Sequence, residues 1–306
     1  MKKITLGKSD LQLPNIAVGC MRLNSLDKKG AADFINNALD NGANFFDHAD
    51  IYGGGECEKL FSEAIDMKPS VRDKMIIQTK CGIVPGKMFN FSKEHILESV
   101  DGSLKRLKTD YIDILLLHRP DTLMEPEEIA EAFDILKTTG KVRNFGVSNQ
   151  NPYQIQLLSK YINQPILVNQ LQLSAAYTPM FDAGFNVNTM FDAGVNRDGG
   201  VLEFCRLNDI TIQAWSPFQH GFFKGCFIDS EKYPELNKKL EEIGEKYGIT
   251  KTGMALAWIL RHPAKIQPVT GTTNMGRLNE CIAASEVYIT REEWYEIYLS
   301  AGNILP

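Results

Sequence analysis

Short runs of apolar, often β-branched residues alternate along the chain with longer amphipathic segments. Several runs are continuously apolar, which is typical of strands covered on both faces in a parallel sheet. Eight strands are predicted: Ile16–Val18, Asn44–Phe46, Met75–Thr79, Ile112–Leu117, Val142–Val147, Ile166–Asn169, Thr211–Ala214 and Ile266–Val269. Because no linker rich in Pro, Gly or Ser interrupts them, we expect one closed (β/α)8 TIM barrel, a single domain over residues 1–306. A doubly wound open sheet also alternates, but it usually has fewer strands over this length.

The amphipathic segments carry the start and stop signals of helices. The segment Lys28–Asn41 is followed by Gly42, and Ser92–Leu107 begins with a capping serine. Proline occupies the first turn of Pro126–Thr139 and of the helix that follows Asn151. Three more helices are predicted over Glu235–Tyr247, Thr252–Arg261 and Arg291–Ser300.

Two stretches lie outside this alternation. The start of the chain, Ile4–Leu13, is predicted as an N-terminal β-hairpin turning at Gly7–Asp10, and we expect it to close the N-terminal end of the barrel. Residues 171–199 form a connection longer than ordinary strand-to-helix loops. They contain a local repeat, MFDAGFN and MFDAGVN. We expect this segment among the large loops of the C-terminal face, as a candidate lid.

The composition excludes several classes of function. The 306 residues include 33 Lys plus Arg and 38 Asp plus Glu, a net charge of −5, which is a poor match for nucleic acid or anionic membrane. No apolar stretch approaches the ~20 residues of a membrane span, and no signal-peptide core is present. The six cysteines have no zinc-ligand spacing, so we expect free thiols, no metal and a cytoplasmic location.

Polar residues gather at the predicted strand ends, where barrels place their catalytic groups. Asp47 and Tyr52 follow the second strand, Lys80 ends the third and His118 ends the fourth. Each alone has an ordinary explanation, as a cap, an exposed charge or a packed aromatic, so the interpretation depends on their coincidence. An ammonium lowers the pKa of a nearby tyrosine, and a carboxylate keeps that ammonium charged. With a histidine to orient the oxygen, the set predicts a proton donor for a carbonyl that is being reduced.

Seven ordered blocks of sequence resemble the aldo-keto reductase superfamily. They are FDHADIYG, IIQTKCG, DILLLHRPD, NFGVSN, VNQLQLS, AWSPF and PVTGTTNMGRL. The resemblance covers nearly the whole chain and is strongest to the bacterial YdhF-like oxidoreductases. It implies an enzyme that reduces aldehyde or ketone carbonyls to alcohols. In this enzyme Tyr52 is the general acid, Lys80 and Asp47 support it, and His118 orients the substrate.

The resemblance also implies NADPH, laid in an extended form across the barrel mouth. Ser148, Asn149 and Gln170 match residues that bind the nicotinamide carboxamide, and Trp215 matches the residue that stacks on its ring. The other matches are Gly19, Cys20 and Met21 near the ribose, Ser216 and Phe218 at the pyrophosphate, and Gly271, Thr272, Thr273 and Arg277 at the adenosine end. NADH stays possible, because Gly271 stands where many relatives place a phosphate-binding lysine. Two other departures are Cys281, in place of an adenine-binding asparagine, and His48, where threonine is usual.

The resemblance leaves one alternative from another functional class. Channel β-subunits share this superfamily's fold, so a nucleotide-sensing interaction protein with slow turnover stays open, and an absorbance assay with aldehydes separates the two.

Substrate walls are expected from 21–23, 119–124, 171–199, 218–227 and the C-terminal tail, with Phe222, Phe223 and Phe227 as an aromatic lining. We expect an open site tolerant of several small carbonyl compounds. No heptad argues for a dimer, so we expect a monomer.

Overall fold

The computed structural model describes all of residues 1–306 and confirms a closed barrel of eight parallel strands. The barrel strands are β3 (Ala17–Gly19), β4 (Phe45–Asp47), β5 (Ile76–Cys81), β8 (Ile112–Leu117), β9 (Val142–Ser148), β10 (Ile166–Gln172), β11 (Thr211–Trp215) and β12 (Gln267–Thr270). They follow one another around the barrel in chain order, and β12 pairs with β3 to close it. Two antiparallel hairpins lie outside it, β1 (Lys3–Thr5) with β2 (Gln12–Pro14), and β6 (Ile83–Val84) with β7 (Met88–Phe89).

Twelve helices accompany the strands. They are α1 (Lys28–Asp40), α2 (Glu56–Ala64), α3 (Pro69–Arg72), α4 (Lys93–Leu107), α5 (Pro126–Thr138), α6 (Pro152–Ser159), α7 (Pro179–Phe185), α8 (Val201–Leu207), α9 (Pro234–Tyr247), α10 (Lys251–Leu260), α11 (Met275–Ala283) and α12 (Arg291–Ser300). The predicted caps are confirmed at Ser92, which accepts from the His95 amide, and at Asn151, which forms a capping box with Gln154. The sequence pattern does not predict α2, α3, α7 or α11; α2 and α11 begin within a few residues of glycines that indicate a loop.

The N-terminal hairpin closes the lower end of the barrel, as expected. Its Leu6 and Leu13 side chains are fully buried against barrel residues such as Leu116. Gly7 joins the hairpin to β11 by donating its amide to Thr211 Oγ1 at 2.8 Å. A Cβ at Gly7 would lie 2.7 Å from a carbonyl oxygen of β10, so this close approach requires glycine.

The long segment 171–199 is not a lid, and the expectation that it walls the pocket is wrong. Its helix α7 packs against the outer helices, where Phe181 lies against Trp258 and stacks on His262. Tyr298 of α12 donates to Asp182 at 2.7 Å. The first copy of the repeat therefore packs within the outer layer of helices, whereas Met190 of the second copy is exposed to solvent. No residue of the segment lines the cavity at the C-terminal face.

Candidate active site

A cavity of about 1390 Å³ opens at the carboxyl ends of the barrel strands. Every predicted site residue lines it except Cys20 and Lys80. These lining residues are Gly19, Met21, Asp47, Tyr52, His118, Ser148, Asn149, Gln170, Trp215, Ser216, Phe218, Gly271, Thr272, Thr273 and Arg277. The Cys20 side chain is buried in an apolar cluster, with its Sγ 3.7 Å from the Val18 carbonyl oxygen, so it does not reach the cavity. Lys80 is fully buried beside the cavity.

Lys80 joins Asp47 to Tyr52. Its Nζ donates to both Asp47 carboxylate oxygens and to the His48 carbonyl oxygen, each at 2.8 Å. The same nitrogen lies 3.2 Å from Tyr52 Oη and 5.0 Å from the centre of the Tyr52 ring. This arrangement follows from the parallel pairing of β4 with β5, in which Asp47 is the register partner of Gln78, two residues before Lys80. Because Lys80 points toward the same side of its strand as Gln78, both side chains reach Asp47.

A glycine turn sets the position of Tyr52. Gly53, Gly54 and Gly55, which follow it, all have positive φ, at 59°, 66° and 95°. A Cβ on Gly53 would lie 2.6 Å from Asn24, and one on Gly55 would lie 2.9 Å from an arginine side chain of α4. The positive φ favours glycine at all three positions, and space restricts Gly53 and Gly55 as well. These three glycines therefore set the path by which the Tyr52 side chain enters the cavity.

A buried ion pair connects α2, β5 and α4 behind this turn. Glu58 is fully buried, and both Nε and the terminal guanidinium nitrogen of Arg106 lie 2.8 Å from its Oε2. Its other oxygen accepts from Thr79 Oγ1 at 2.7 Å, one residue before Lys80. Through these contacts Glu58 and Arg106 hold the turn that carries Tyr52 against the strand that carries Lys80. The contacts are costly to break, because losing one partner would leave a buried charge uncompensated.

His118 faces Tyr52 edge-on, with ring centres 6.0 Å apart at an angle of 81°. Burial, with the positive charges of Lys80 and Arg119, holds the pKa of His118 well below 6.5. The imidazole is therefore neutral at physiological pH and can donate a hydrogen bond, but it is not a proton reservoir.

The pKa of Tyr52 lies above its ordinary value of 10.0, because burial disfavours the phenolate and outweighs the opposing charge of Lys80. Lys80 acts on the Tyr52 pKa in the expected direction, and burial adds a larger effect of opposite sign. Burial alone would lower the pKa of Lys80, but Asp47 and Tyr52 prevail and raise it, so Lys80 is an ammonium. Tyr52 carries its proton throughout the neutral range.

A line of buried glutamines supports Asp47 from inside the barrel. Gln78 and Gln170 donate to Asp47 Oδ1 at 2.6 and 3.1 Å, and both also donate to Gln213 Oε1. Gln213 in turn donates to Gln267 at 2.8 Å. The sequence reading did not single out Gln78, Gln213 or Gln267, although polar residues inside otherwise apolar strands are a signal that could have found them.

The predicted carboxamide residues form a network of their own. Asn149 donates to Ser148 Oγ at 2.7 Å and accepts from Trp215 Nε1 at 3.0 Å. The Asn149 side chain thus holds the indole in place, and its backbone takes a positive φ of 58°. Gln170 donates to Asp47, while its Oε1 receives no hydrogen bond from the protein and its side chain lines the cavity.

The far end of the cavity carries Arg277, whose guanidinium makes no ion pair or hydrogen bond with the protein. Asn274 caps α11 by accepting from the Arg277 amide, which fixes this helix start beside Thr272 and Thr273. Lys251 and Asp229 form an ion pair that ties the loop before α9 to the start of α10. Neither residue is indicated by a motif in the sequence.

The predicted substrate walls are confirmed only in part. Phe222 and Phe223 line the cavity, but Phe227 is fully buried and does not. Of residues 119–124 only Arg119 contributes, and the C-terminal tail contributes nothing. Arg22 also lines the cavity and donates to the Gly271 carbonyl oxygen at 3.0 Å.

No cluster of three potential metal ligands is present, and none of the helices is long and apolar enough to span a membrane.

The structure thus brings a tyrosine, a buried lysine–aspartate pair and a histidine together at the mouth of a parallel barrel, and comparison with known proteins gives the class of enzyme. A profile of the Aldo/keto reductase family matches residues 15–298. The chain is 37% identical to the uncharacterized oxidoreductase YcsN of Bacillus subtilis, over 100% of both chains. It is 34% identical to a 6-dehydroglucose reductase of Agrobacterium fabrum and 30% identical to oxidoreductase YdhF of Escherichia coli, over 98% of each chain.

A solved structure supports the same assignment. The thermostable aldo-keto reductase Tm1743, determined with the inhibitor epalrestat, superposes with a TM-score of 0.78 at 26% identity, covering 98% of this chain and 100% of that one. The chain belongs to the aldo/keto reductase family and is an NAD(P)H-dependent oxidoreductase. The predicted resemblance to the YdhF group is confirmed.

Proposed function

We propose that this enzyme uses NADPH to reduce aldehydes and ketones to alcohols, with Tyr52 as the proton donor. The observation that carries the proposal is the position of Lys80 Nζ, 2.8 Å from Asp47 and 3.2 Å from Tyr52 Oη. A tyrosine whose anion is stabilised by an adjacent ammonium can release its proton to a developing alkoxide. Protein side chains provide no hydride, so the reaction needs the cofactor that the family uses.

The residues at the cavity mouth fit a nicotinamide dinucleotide. Gln170 Oε1 has no protein donor and suits a carboxamide NH₂, while the Trp215 ring is held ready to stack. Gly19 lets β3 and β12 approach closely beside the cavity, since a Cβ there would lie 2.4 Å from the Thr270 carbonyl oxygen. When bound, the reduced nicotinamide supplies the hydride that adds to the carbonyl carbon.

The chain's own residues manage the proton and the carbonyl oxygen. Tyr52 donates its proton to that oxygen as negative charge develops, and Lys80 stabilises the tyrosinate that remains. Neutral His118 offers an N–H to the same oxygen and orients it. Asp47, held by Gln78 and Gln170, keeps Lys80 charged in this buried setting.

The preference for NADPH over NADH rests on Arg277. Its guanidinium is free of acidic partners and combines a stacking face with a bidentate fork, which suits adenine and a 2′-phosphate. Thr272 and Thr273 add hydroxyls on the same side of the cavity. This local positive charge is compatible with the chain's overall charge of −5.

We also propose that the enzyme is a monomeric, single-domain and cytoplasmic protein. All six cysteines are free thiols, five of them buried, which suits a reducing compartment. The closed barrel leaves no open sheet edge of its own for pairing with a second copy. Size-exclusion chromatography with light scattering measures the oligomeric state, and a dimer mass would contradict the monomer.

Aldehyde-dependent oxidation of the cofactor tests the proposed function. We expect turnover with several aldehydes and NADPH, and about tenfold or greater loss of NADPH preference in Arg277→Gln. Arg291→Gln, an exposed arginine at the start of α12, serves as the charge-matched control. Equal kcat/KM for NADPH and NADH in the wild type would contradict the role of Arg277, and no turnover with any aldehyde would contradict the reductase itself.

A further inference from the structure

Arg119 is a cation in the cavity that has no partner. It follows His118 at the carboxyl end of β8, and its side chain lines the cavity. Its guanidinium carbon lies 5.6 Å from the centre of the Trp215 ring and 5.4 Å from the centre of the Phe222 ring. The protein provides it with neither an ion pair nor a hydrogen bond, so its five N–H donors are left for something else.

The charges around Arg119 do not compensate it. Asp47 is the acid of the catalytic half, and Lys80 already neutralises it through two 2.8 Å contacts. The other acids that line the cavity lie on or before α9 and on α11, toward the adenosine end; they are Asp229, Glu241, Glu245 and Glu280. Burial lowers the pKa of Arg119, which reports the cost of holding this charge away from water. A bound anion would offset that cost.

Arg119 approaches the residues proposed to hold the dinucleotide at the Trp215 ring, on the nicotinamide side. Those residues follow β3 and β9–β12, whereas Arg119 follows β8, beside His118 and near Tyr52. The aromatic rings of Phe222 and Phe223 lie beside the Trp215 ring, Phe222 also next to Arg119, and provide an apolar surface. The carbonyl, the apolar body and a negatively charged group of one substrate therefore have distinct places in this half of the cavity.

We propose that Arg119 binds a carboxylate of the substrate, so that the enzyme prefers oxo acids, aldehydes or ketones that carry a carboxylate, over their neutral analogues. The inference rests on the proposed reductase function. In the reaction the carbonyl gains the hydride at carbon and the Tyr52 proton at oxygen, which gives a hydroxy acid. The carboxylate is unchanged by the reaction and accepts two parallel hydrogen bonds from the planar guanidinium of Arg119.

Matched pairs of substrates test this inference. The probes are 2-, 3- and 4-carboxybenzaldehyde and succinic semialdehyde, each compared with its methyl ester, at saturating NADPH. We expect at least one acid to exceed its ester in kcat/KM by about tenfold or more in the wild-type enzyme. In Arg119→Gln the acid-to-ester ratio falls toward one, mainly through KM. Arg119→Lys keeps the charge but loses the fork, and we expect an intermediate ratio.

The exposed Arg291→Gln variant removes the same charge outside the cavity and should keep the wild-type ratio. If no acid is preferred to its ester, or if the preference survives in Arg119→Gln, the inference is wrong. Reduction of the esters without any acid preference would contradict the role of Arg119 and leave the reductase function intact. Failure to reduce all of these compounds would instead contradict the proposed function.

Discussion

The Lys80 ammonium lies 3.2 Å from the Tyr52 phenol oxygen, where it favours the tyrosinate that a proton transfer leaves behind. The same ammonium is fully buried and donates to both carboxylate oxygens of Asp47, so Asp47 stabilises its charge in place of water. The acidity of Tyr52 and the stability of the fold therefore both depend on the same nitrogen atom, Lys80 Nζ. The two roles can be separated by mutation.

Lys80→Met should lower kcat by about 100-fold or more, because the tyrosinate loses its stabilising charge. It should also destabilise the fold by about 3–5 kcal/mol, since Asp47 is left buried without its counter-ion. The double variant Asp47→Asn/Lys80→Met removes both charges, and we expect it to regain most of the stability while staying inactive. Chemical denaturation and steady-state kinetics on the three proteins measure these effects. Recovery of activity along with stability would show that Lys80 is only structural.

The pH dependence distinguishes Tyr52 from His118 as the acid. Because the pKa of His118 is held well below 6.5, its imidazole should stay neutral at pH 6.5 and above. Burial raises the pKa of Asp50 to about 7, so Asp50 is neutral below that pH and anionic above it. Any inflection of kcat/KM near pH 7 should therefore disappear in Asp50→Asn and persist in His118→Gln. An acidic limb near pH 6.5 that only His118→Gln removes would contradict this assignment.

His48 should make the fold sensitive to acid. Its ring is fully buried against Phe61, and burial lowers the pKa of His48 from 6.5 to about 3. Below pH 6.5 the unfolded chain binds a proton that the folded chain does not, so stability falls as the pH falls. The loss approaches about 1.4 kcal/mol per pH unit, or about 3 kcal/mol at pH 4.5. His48→Thr should flatten the dependence of the unfolding free energy on pH, and an unchanged slope would contradict this origin.

The glutamine line beneath Asp47 should matter to both stability and activity. Gln213→Leu removes the oxygen that accepts from Gln78 and Gln170, which leaves buried donors with fewer partners. We expect a loss of about 1–3 kcal/mol in unfolding free energy and a several-fold lower kcat, because Asp47 is less firmly held. The exposed Gln12→Leu is the matched control and should change stability by no more than about 0.5 kcal/mol. Equal effects of the two substitutions would show that the line has no special role.

The barrel, and the grouping of the four proposed catalytic residues at its mouth, could be predicted from the sequence because both depend on short-range patterns. Continuous apolar runs indicate strands buried on both faces, and parallel strands bring their carboxyl ends to one mouth. This is why Asp47, Tyr52, Lys80 and His118 could be placed together before any coordinates. Asp47, Lys80 and His118 lie at or next to the ends of their strands, whereas the position of Tyr52 depends on the glycine turn that follows it.

The misses concern contacts between segments distant along the chain. The 171–199 segment has a position in sequence that suits a lid, but the aromatic packing of Phe181 on α10 and α12 decides its place. The sign of the pKa shift at Tyr52 depends on how far burial outweighs one ammonium, which no motif encodes. Arg119 is visible in the sequence beside His118, but its lack of a partner is a property of the folded cavity alone.

The central claim is that Tyr52 donates the proton, and Tyr52→Phe tests it most directly. The measurement is the single-turnover rate of cofactor oxidation with a saturating aldehyde, together with the Kd of the cofactor by fluorescence titration. We predict a rate about 100-fold or more below the wild type, with a Kd that changes by no more than about twofold. The exposed Tyr153→Phe should leave both values unchanged. A Tyr52→Phe enzyme that oxidises the cofactor at the wild-type rate would contradict the account.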